Sequence, residues 1–289
     1  MSQQFINQAI NLTNQKRIQN GLEPLTMNSQ LAAAAQNHTT RMALDDFFSH
    51  TGSDGSSMRD RIANQGYNFS YAAENIGAGY ANPEAAIKGW MNSTGHRENI
   101  LNSNVTEIGV GYYYLKNDPG QVTYNHYWTQ VFGKSQNSSP PPAGSVYRFY
   151  DTITGTHFYT ANKAERNDVI NNLPKYNYEG ASFAAMETPT SNTEEVHRFF
   201  NTQTGTHFYT ISDFEADVIR QNSPQFNYEG PAYHAYEQSV GGTIPLYRFY
   251  RPDTGTHFYT PSLGERDSVM DTLGDVYNYE GVAYYVNSI

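Results

Sequence analysis

Arg148-Phe-Tyr-Asp-Thr-Ile-Thr-Gly-Thr-His-Phe-Tyr-Thr160 returns, nearly unchanged, at Arg198–Thr210 and again at Arg248–Thr260, a period of 50 residues. Each copy is followed by Asn-Tyr-Glu-Gly, beginning at Asn177, Asn227 and Asn278. An aromatic then stands three residues past each glycine: Phe183, Tyr233 and Tyr284. Three motifs recurring in phase mark a triplicated unit, with repeats at about 146–195, 196–245 and 246–289. Within a copy, Arg-Phe-Tyr and Thr-His-Phe-Tyr-Thr flank a Thr-Gly turn and predict a β-hairpin. Glu165–Leu173, with Val169 and Leu173 at i and i+4, predicts a helix, and the Asn-Tyr-Glu-Gly segment a short strand. One copy is too small to bury its own apolar face. Three are therefore expected to close about a pseudo-threefold axis, in a β-trefoil-like arrangement.

The triplicated polar residues are Arg148, His157, Tyr159 and Glu179, then Arg198, His207, Tyr209 and Glu229, then Arg248, His257, Tyr259 and Glu280. Two readings are open. They could form three equivalent shallow sites in which tyrosines stack on sugar faces, multivalency raising avidity for a polymer. They could equally form a structural network, because buried charges must be paired and symmetry triplicates whatever pairing is found. Strand alternation places Phe158 on the face opposite His157 and Tyr159.

Outward from the repeats, the composition divides the chain. Its 289 residues carry 18 basic and 28 acidic side chains, a net charge of −10, and no cysteine. Residues 136–289 hold 18 of those acids against 9 bases, whereas residues 1–135 hold 10 against 9. The acidic balance excludes a phosphate-backbone binder, so no nucleic-acid partner is expected. No apolar run approaches the roughly 20 residues needed to span a bilayer. The absence of cysteine removes disulfides, thiolate zinc sites and thiol nucleophiles. A Pro/Ser-rich stretch at 136–145 reads as an extended spacer between a first domain at 1–135 and the repeats.

The first domain shows helices over 2–19, stopped by Asn20-Gly21 and Pro24, and over 28–44, where Leu31, Ala35, His38 and Met42 share a stripe. His38 on that stripe reads as a core histidine. Further helices are predicted from Ser56 or Ser57, over Pro83–Met91 and through Gly95–Leu101, with a strand over Asn125–Gly133.

The motifs of this domain run in a set order: Asn-Gly-Leu-Glu-Pro-Leu (20–25), Phe-Ser-His (48–50), Asp54-Gly55, Ala-Glu-Asn-Ile (73–76) and Gly-Trp-Met-Asn-Ser-Thr-Gly-His-Arg-Glu-Asn-Ile-Leu (89–101). Ile-Gly-Val-Gly (108–111) and Tyr-Trp-Thr-Gln-Val-Phe-Gly (127–133) complete it. In this order they resemble the bacterial branch of the CAP superfamily, related to sperm-coating and plant pathogenesis-related proteins. The resemblance implies an α-β-α sandwich, so the fold class expected for the whole chain is α+β. In eukaryotic members two His and two Glu line a cavity that in some cases binds a divalent metal. His50 and Glu74 match that set. Its second Glu falls on Ser93, and its second His on Tyr127, with His126 one residue off and so on the other face of a strand. The bacterial pattern implies a cavity of His50, Asp54, Glu74 and His96, in which His50, Glu74 and His96 could hold a divalent ion, zinc first. The repeats resemble modules appended to bacterial secreted and cell-wall enzymes, which implies surface targeting or glycan binding.

These readings converge on an exported bacterial surface protein. Its first domain is expected to bind a small molecule, lipid or wall component, with a lipid or small apolar ligand as a partner, and its repeats a cell-surface or wall glycan. The alternatives are a metal-dependent hydrolase of wall polymer or peptide, and a structural or cargo protein of a secretion or assembly system. Turnover is disfavoured: Ser49 and Ser93 lack a Gly-x-Ser-x-Gly elbow, and Glu98, the carboxylate that could pair with Glu74, reads as a helix-surface residue. The opening Met1-Ser-Gln-Gln-Phe5 has no basic n-region or apolar h-region. An extracellular or cell-surface location therefore implies a signal already removed or unconventional export.

Overall fold

The computed structural model describes residues 2–137, 139–186 and 188–289. Met1, at the start of the predicted first domain, Ser138, within the predicted spacer, and Glu187, in the first repeat, lie outside the described residues. The chain divides into two compact units, Met1–Ser139 with Ile170–Pro174 and Pro140–Val169 with Lys175–Ile289.

The first unit orders its elements as α1 (Ser2–Gln19), β1 (Thr26–Met27), α2 (Ser29–Leu44), α3 (Met58–Asn64), β2 (Phe69–Ala78), α4 (Pro83–Asn92), α5 (Thr94–Ile100), β3 (Glu107–Tyr114) and β4 (His126–Ser135). The helix starts are chemically marked. Asn28 accepts from the N–H groups of Gln30 and Leu31, Ser57 and Asp60 form a reciprocal capping box, and Asn82 precedes Pro83. The strands order as β1-β3-β4-β2, with β1 parallel to β3 and the other pairs antiparallel. Period-two alternation sends Val110, Tyr112, Trp128 and Phe132 into one core with α1, α4 and α5. Val131 and Tyr127 face the other way, into cores shared with α2. The sheet is thus covered on both faces. Gly109 and Gly111 explain how closely α2 lies on β3: a Cβ at Gly109 would fall 2.1 Å from the backbone of Leu31 and Ala32, and one at Gly111 2.5 Å from the Ala35 carbonyl.

The second unit repeats one pattern three times. Its elements are β5 (Ser145–Asp151), β6 (Thr156–Thr160), α6 (Lys163–Asn172) and β7 (Tyr176–Ala184), then β8 (Glu194–Asn201), β9 (Thr206–Thr210), α7 (Asp213–Asn222) and β10 (Phe226–Ala235). The third copy is β11 (Thr243–Arg251), β12 (Thr256–Thr260), α8 (Leu263–Thr272) and β13 (Asn278–Asn287). In each copy the first strand pairs antiparallel with both others. Each copy thus holds three strands and a helix, the helix of the first copy falling where the sequence predicts one.

One tyrosine of each copy meets the other two within the core that the copies share. Tyr159, Tyr209 and Tyr259 meet edge-to-face, with ring centroids 5.7–5.9 Å apart. The Tyr159 hydroxyl donates to the Tyr259 carbonyl, Tyr209 to Tyr159, and Tyr259 to Tyr209, a closed cycle. The Asn-Tyr-Glu-Gly motif is a β-bulge: Phe149 pairs with Tyr178 and Arg148 with Gly180, so Glu179 has no partner across the ladder. Gly180 takes φ +94°, and Gly230 and Gly281 do the same in the other copies. The bulge turns its extra residue, the glutamate, toward the arginine of its own copy.

Candidate functional site

The free edge of β2 gathers the polar residues of the first unit. Glu74 is buried at 7% exposure, on the face that β2 turns toward α2 and α3. Its two oxygens are divided. Oε1 lies 2.8 Å from His50 Nδ1, and Oε2 accepts from Arg61 Nη2 at 2.7 Å. Arg61 also donates to the carbonyls of His50 and Ser56, at 3.0 and 2.9 Å, and so clamps the loop that carries the histidine. Burial alone would raise the Glu74 pKa. The hydrogen bond to His50 and the charge of Arg61 outweigh it, and the carboxyl is held below the usual range. An ionised carboxylate only accepts, so a neutral His50 carries its proton on Nδ1 and offers the Nε2 lone pair outward. The His50 side chain is 57% exposed.

The other two predicted cavity residues do not join this pair directly. Asp54 is turned away: its Oδ2 meets Arg41 Nη1 at 2.8 Å, and its Oδ1 accepts from the Ser56 N–H. The Ser56 hydrogen bonds and Arg41 lower its pKa to about 2. It acts as a loop-shaping carboxylate, paired with Arg41 rather than with His50 or Glu74. His96, on α5, enters through its backbone, whose carbonyl accepts from Asn75 Nδ2. Burial, and then the nearby His50, lower its imidazole pKa. Asn75 continues to Gln130, and Asn99 reaches both the Glu74 carbonyl and Asn75 Oδ1. Glu98 is exposed on α5.

The donor set does not fit a zinc ion. Among the described residues no group of three or more His, Cys, Asp or Glu side chains is placed to hold a metal. The charge that a divalent ion would neutralise is already met by Arg61. Sequence reading missed that arginine; the Ser57-x-x-Asp60 box, which starts the helix presenting it, was the available signal. Tyr127 takes the position of the missing histidine on the Glu74 face, with its hydroxyl on Asp118 and the Val122 carbonyl. His126 points to the opposite face, beside Tyr112.

His38 is fully buried on α2 and lies within the field of Glu74, Arg61 and His50. Its Nε2 sits 3.0 Å from the Ser49 carbonyl, which can only accept, so Nε2 carries the proton. Among the described residues Nδ1 has no hydrogen-bond partner. His38 is thus both a core residue, as expected, and a support for the loop that holds His50.

In the second unit the triplicated polar residues bind one another. Arg148, Arg198 and Arg248 each pair through Nε with the bulge glutamate of their own copy, Glu179, Glu229 and Glu280, at 2.7–2.8 Å. Each arginine also reaches a helix glutamate of the preceding copy in the cycle: Arg198 to Glu165, Arg248 to Glu215 and Arg148 to Glu265. None of these three glutamates is among the triplicated polar residues singled out in the sequence. His207, His257 and His157 face Phe158, Phe208 and Phe258 of the preceding copies, with ring centroids 4.7–5.0 Å apart. The reading that Tyr159, Tyr209 and Tyr259 stack on sugars is corrected, because these rings are no more than 2% exposed and fill the axis.

Comparison with known proteins agrees with this division. Residues 10–132 match the family model described as the Cysteine-rich secretory protein family (CAP), and residues 145–287 match one described as a domain of unknown function, DUF5648. The first unit is a CAP domain. The Bacillus subtilis (strain 168) protein described as "Uncharacterized protein YkwD" is 38% identical over 123 residues, 43% of this chain and 44% of that protein. "Uncharacterized membrane protein YlbC" of the same strain is 38% identical over 113 residues, 38% of this chain and 33% of its own length. The chain thus spans less than half the length of these relatives. Among solved structures, an extracellular protein containing an SCP domain from Bacillus anthracis is 32% identical, with TM-score 0.41, covering 46% of this chain and 41% of that one.

Proposed function

We propose that a protein carrying this CAP domain is an exported recognition module, whose His50–Glu74 site binds a polar small molecule or wall component. The observation that carries this reading is the exposed His50 imidazole, held by a buried carboxylate that is itself neutralised by Arg61. The Nε2 lone pair accepts from a ligand hydroxyl or amide N–H, groups that wall glycopeptides display in quantity. Turnover would call for a nucleophile, a second carboxylate or a metal beside the pair. The hydroxyl of Ser49 instead accepts from the Thr51 N–H. The secretory description of the matching family favours export.

The second unit serves, in this reading, as a glycan-directed anchor. Its charge disfavours anionic polymers. Its triplicated Arg and Glu side chains pair with one another, so contacts fall to exposed aromatics such as Tyr228 and Tyr279, each 40% exposed.

Co-sedimentation of the full chain with purified wall sacculi tests the proposal, with release of soluble fragments assayed in parallel. Wild type is expected to sediment, His50→Gln to bind about tenfold more weakly, or ~1.4 kcal/mol, and neither to release fragments. Equal sedimentation of the two overturns the assignment to His50. Fragment release by wild type that Glu74→Gln abolishes makes the protein a hydrolase.

A further inference from the structure

The geometry points to a second binding site in the first unit: a groove along the open edge of β3 that takes a neutral saccharide. β1 pairs with β3 only at Glu107 and Ile108, so the rest of β3 has no strand neighbour on that side. With α1 and α2 on opposite faces of the sheet, a trough remains between them. It encloses about 670 Å³ and is lined by Phe5, Gln36, Thr40, Tyr113, Tyr114 and His126 among others. That volume lies within the roughly 300–1,000 Å³ of small-ligand sites. None of His50, Asp54, Arg61, Glu74 or His96 lines it.

Chemistry selects the ligand class. Among the described residues no Asp, Glu, Lys or Arg lines the groove, and burial lowers the His126 pKa, which favours its neutral form. Phosphates and carboxylates would find no counter-charge. An extended peptide adding to β3 would need the outward N–H and C=O of Tyr112. The Gln36 side-chain amide already occupies both, at 3.1 Å each. What remains is an aromatic slab edged with hydroxyls. Tyr114 packs on His126 with centroids 4.8 Å apart, and His126 stacks on Tyr112, which packs on Trp128. Tyr114, at the outer end, is half exposed. The Tyr112 hydroxyl lies 2.9 Å from His126 Nδ1 and so leaves Nε2 for a ligand. A flat aromatic face with a hydroxyl or imidazole at its rim suits a pyranose, which presents C–H groups on its face and hydroxyls on its edge.

The test is an NMR titration of the isotopically labelled full chain with N-acetylglucosamine trisaccharide, cellotriose and maltotriose, with palmitate as a contrast. Saturable shifts are expected at the amides of Tyr112–Tyr114 and the ring of His126 with at least one saccharide, and none at His50. Tyr114→Ala, at an exposed position, is expected to weaken binding about tenfold. Thr40→Val, a near-isosteric loss of one hydroxyl, is expected to weaken it severalfold. The inference is overturned if no saccharide gives saturable shifts at about 10 mM, weaker than ~3 kcal/mol of binding. It is also overturned if the shifts centre on His50 or the second unit, if only palmitate moves the groove, or if both variants bind as wild type. The His50 reading has its own readout and does not stand or fall with this one.

Discussion

Arg61 Nη2 lies 2.7 Å from Glu74 Oε2, and this contact decides the character of the candidate site. A buried carboxylate needs a cation, and the fold supplies one from its own chain. Removing one partner of a buried pair strands the other charge, at a cost of about 3–5 kcal/mol. Arg61→Met is expected to lower unfolding free energy by that order in urea titration, while the Arg61→Met/Glu74→Gln double variant recovers part of the loss. Equal stability of the two variants would show that the pair is not coupled.

Because Arg61 already pairs with Glu74, chelator-treated full chain offered zinc is expected to take up no stoichiometric ion at pH 7. Elemental analysis after gel filtration reads the outcome. One bound equivalent that His50→Gln abolishes would refute the account.

Gly111 carries the approach of α2 to the sheet. Gly111→Ala would force a methyl against the Ala35 carbonyl, and the overpacking is expected to cost about 1–3 kcal/mol by denaturant titration. The exposed Gly264 meets nothing closer than a side-chain oxygen at 3.9 Å, and its alanine variant serves as the control.

The tyrosine cycle ties three copies into one body. Tyr209→Phe removes a donor to the Tyr159 carbonyl and an acceptor of the Tyr159 N–H, both buried. The expected loss is about 1–3 kcal/mol per stranded group. Calorimetry is expected to show the whole repeat unit melting together at lower temperature. Melting of one copy alone would contradict the closed cycle.

Acid should weaken the second unit in two windows. Burial and the Arg248 guanidinium, against a smaller opposing pull from Glu215, push the His257 imidazole down to about 4, from an ordinary 6.5. Below 6.5 the unfolded chain takes up a proton that the folded one refuses, so stability falls with pH and the loss is complete near 4. At ~1.4 kcal/mol per unit the loss is about 3 kcal/mol. Glu179 and Glu229 are held below their usual range. Hydrogen bonds from His157 and His207 and the arginine charges outweigh burial at both. Their contribution is full above about 4.5 and drains away at lower pH. Denaturation midpoints across pH 7 to 4 measure the first window, and His257→Gln is expected to flatten it.

How far the sequence reached depended on whether a feature is local. Helix starts at Asn28, Ser57 and Pro83 carry their signals within a few residues, and the helices follow them closely. The triplication was legible because period-50 motifs need no contact map. Parity along β4 correctly set His126 and Tyr127 on opposite faces, since alternation is a backbone property. The pairing of Asp54 with Arg41 and of Glu74 with Arg61 was not legible, because each joins residues 13 positions apart across loops.

The amino-acid order by itself determined the two-part organisation, the threefold repeat, the His50 and Glu74 positions and the absence of thiol chemistry. Tertiary structure alone decided what those residues do. It paired the Glu74 charge with Arg61, buried the repeat tyrosines against one another, and paired each repeat arginine with a glutamate from another copy. The physical reason is that burial sets the meaning of a polar side chain, and burial is a property of packing between segments that no local pattern encodes.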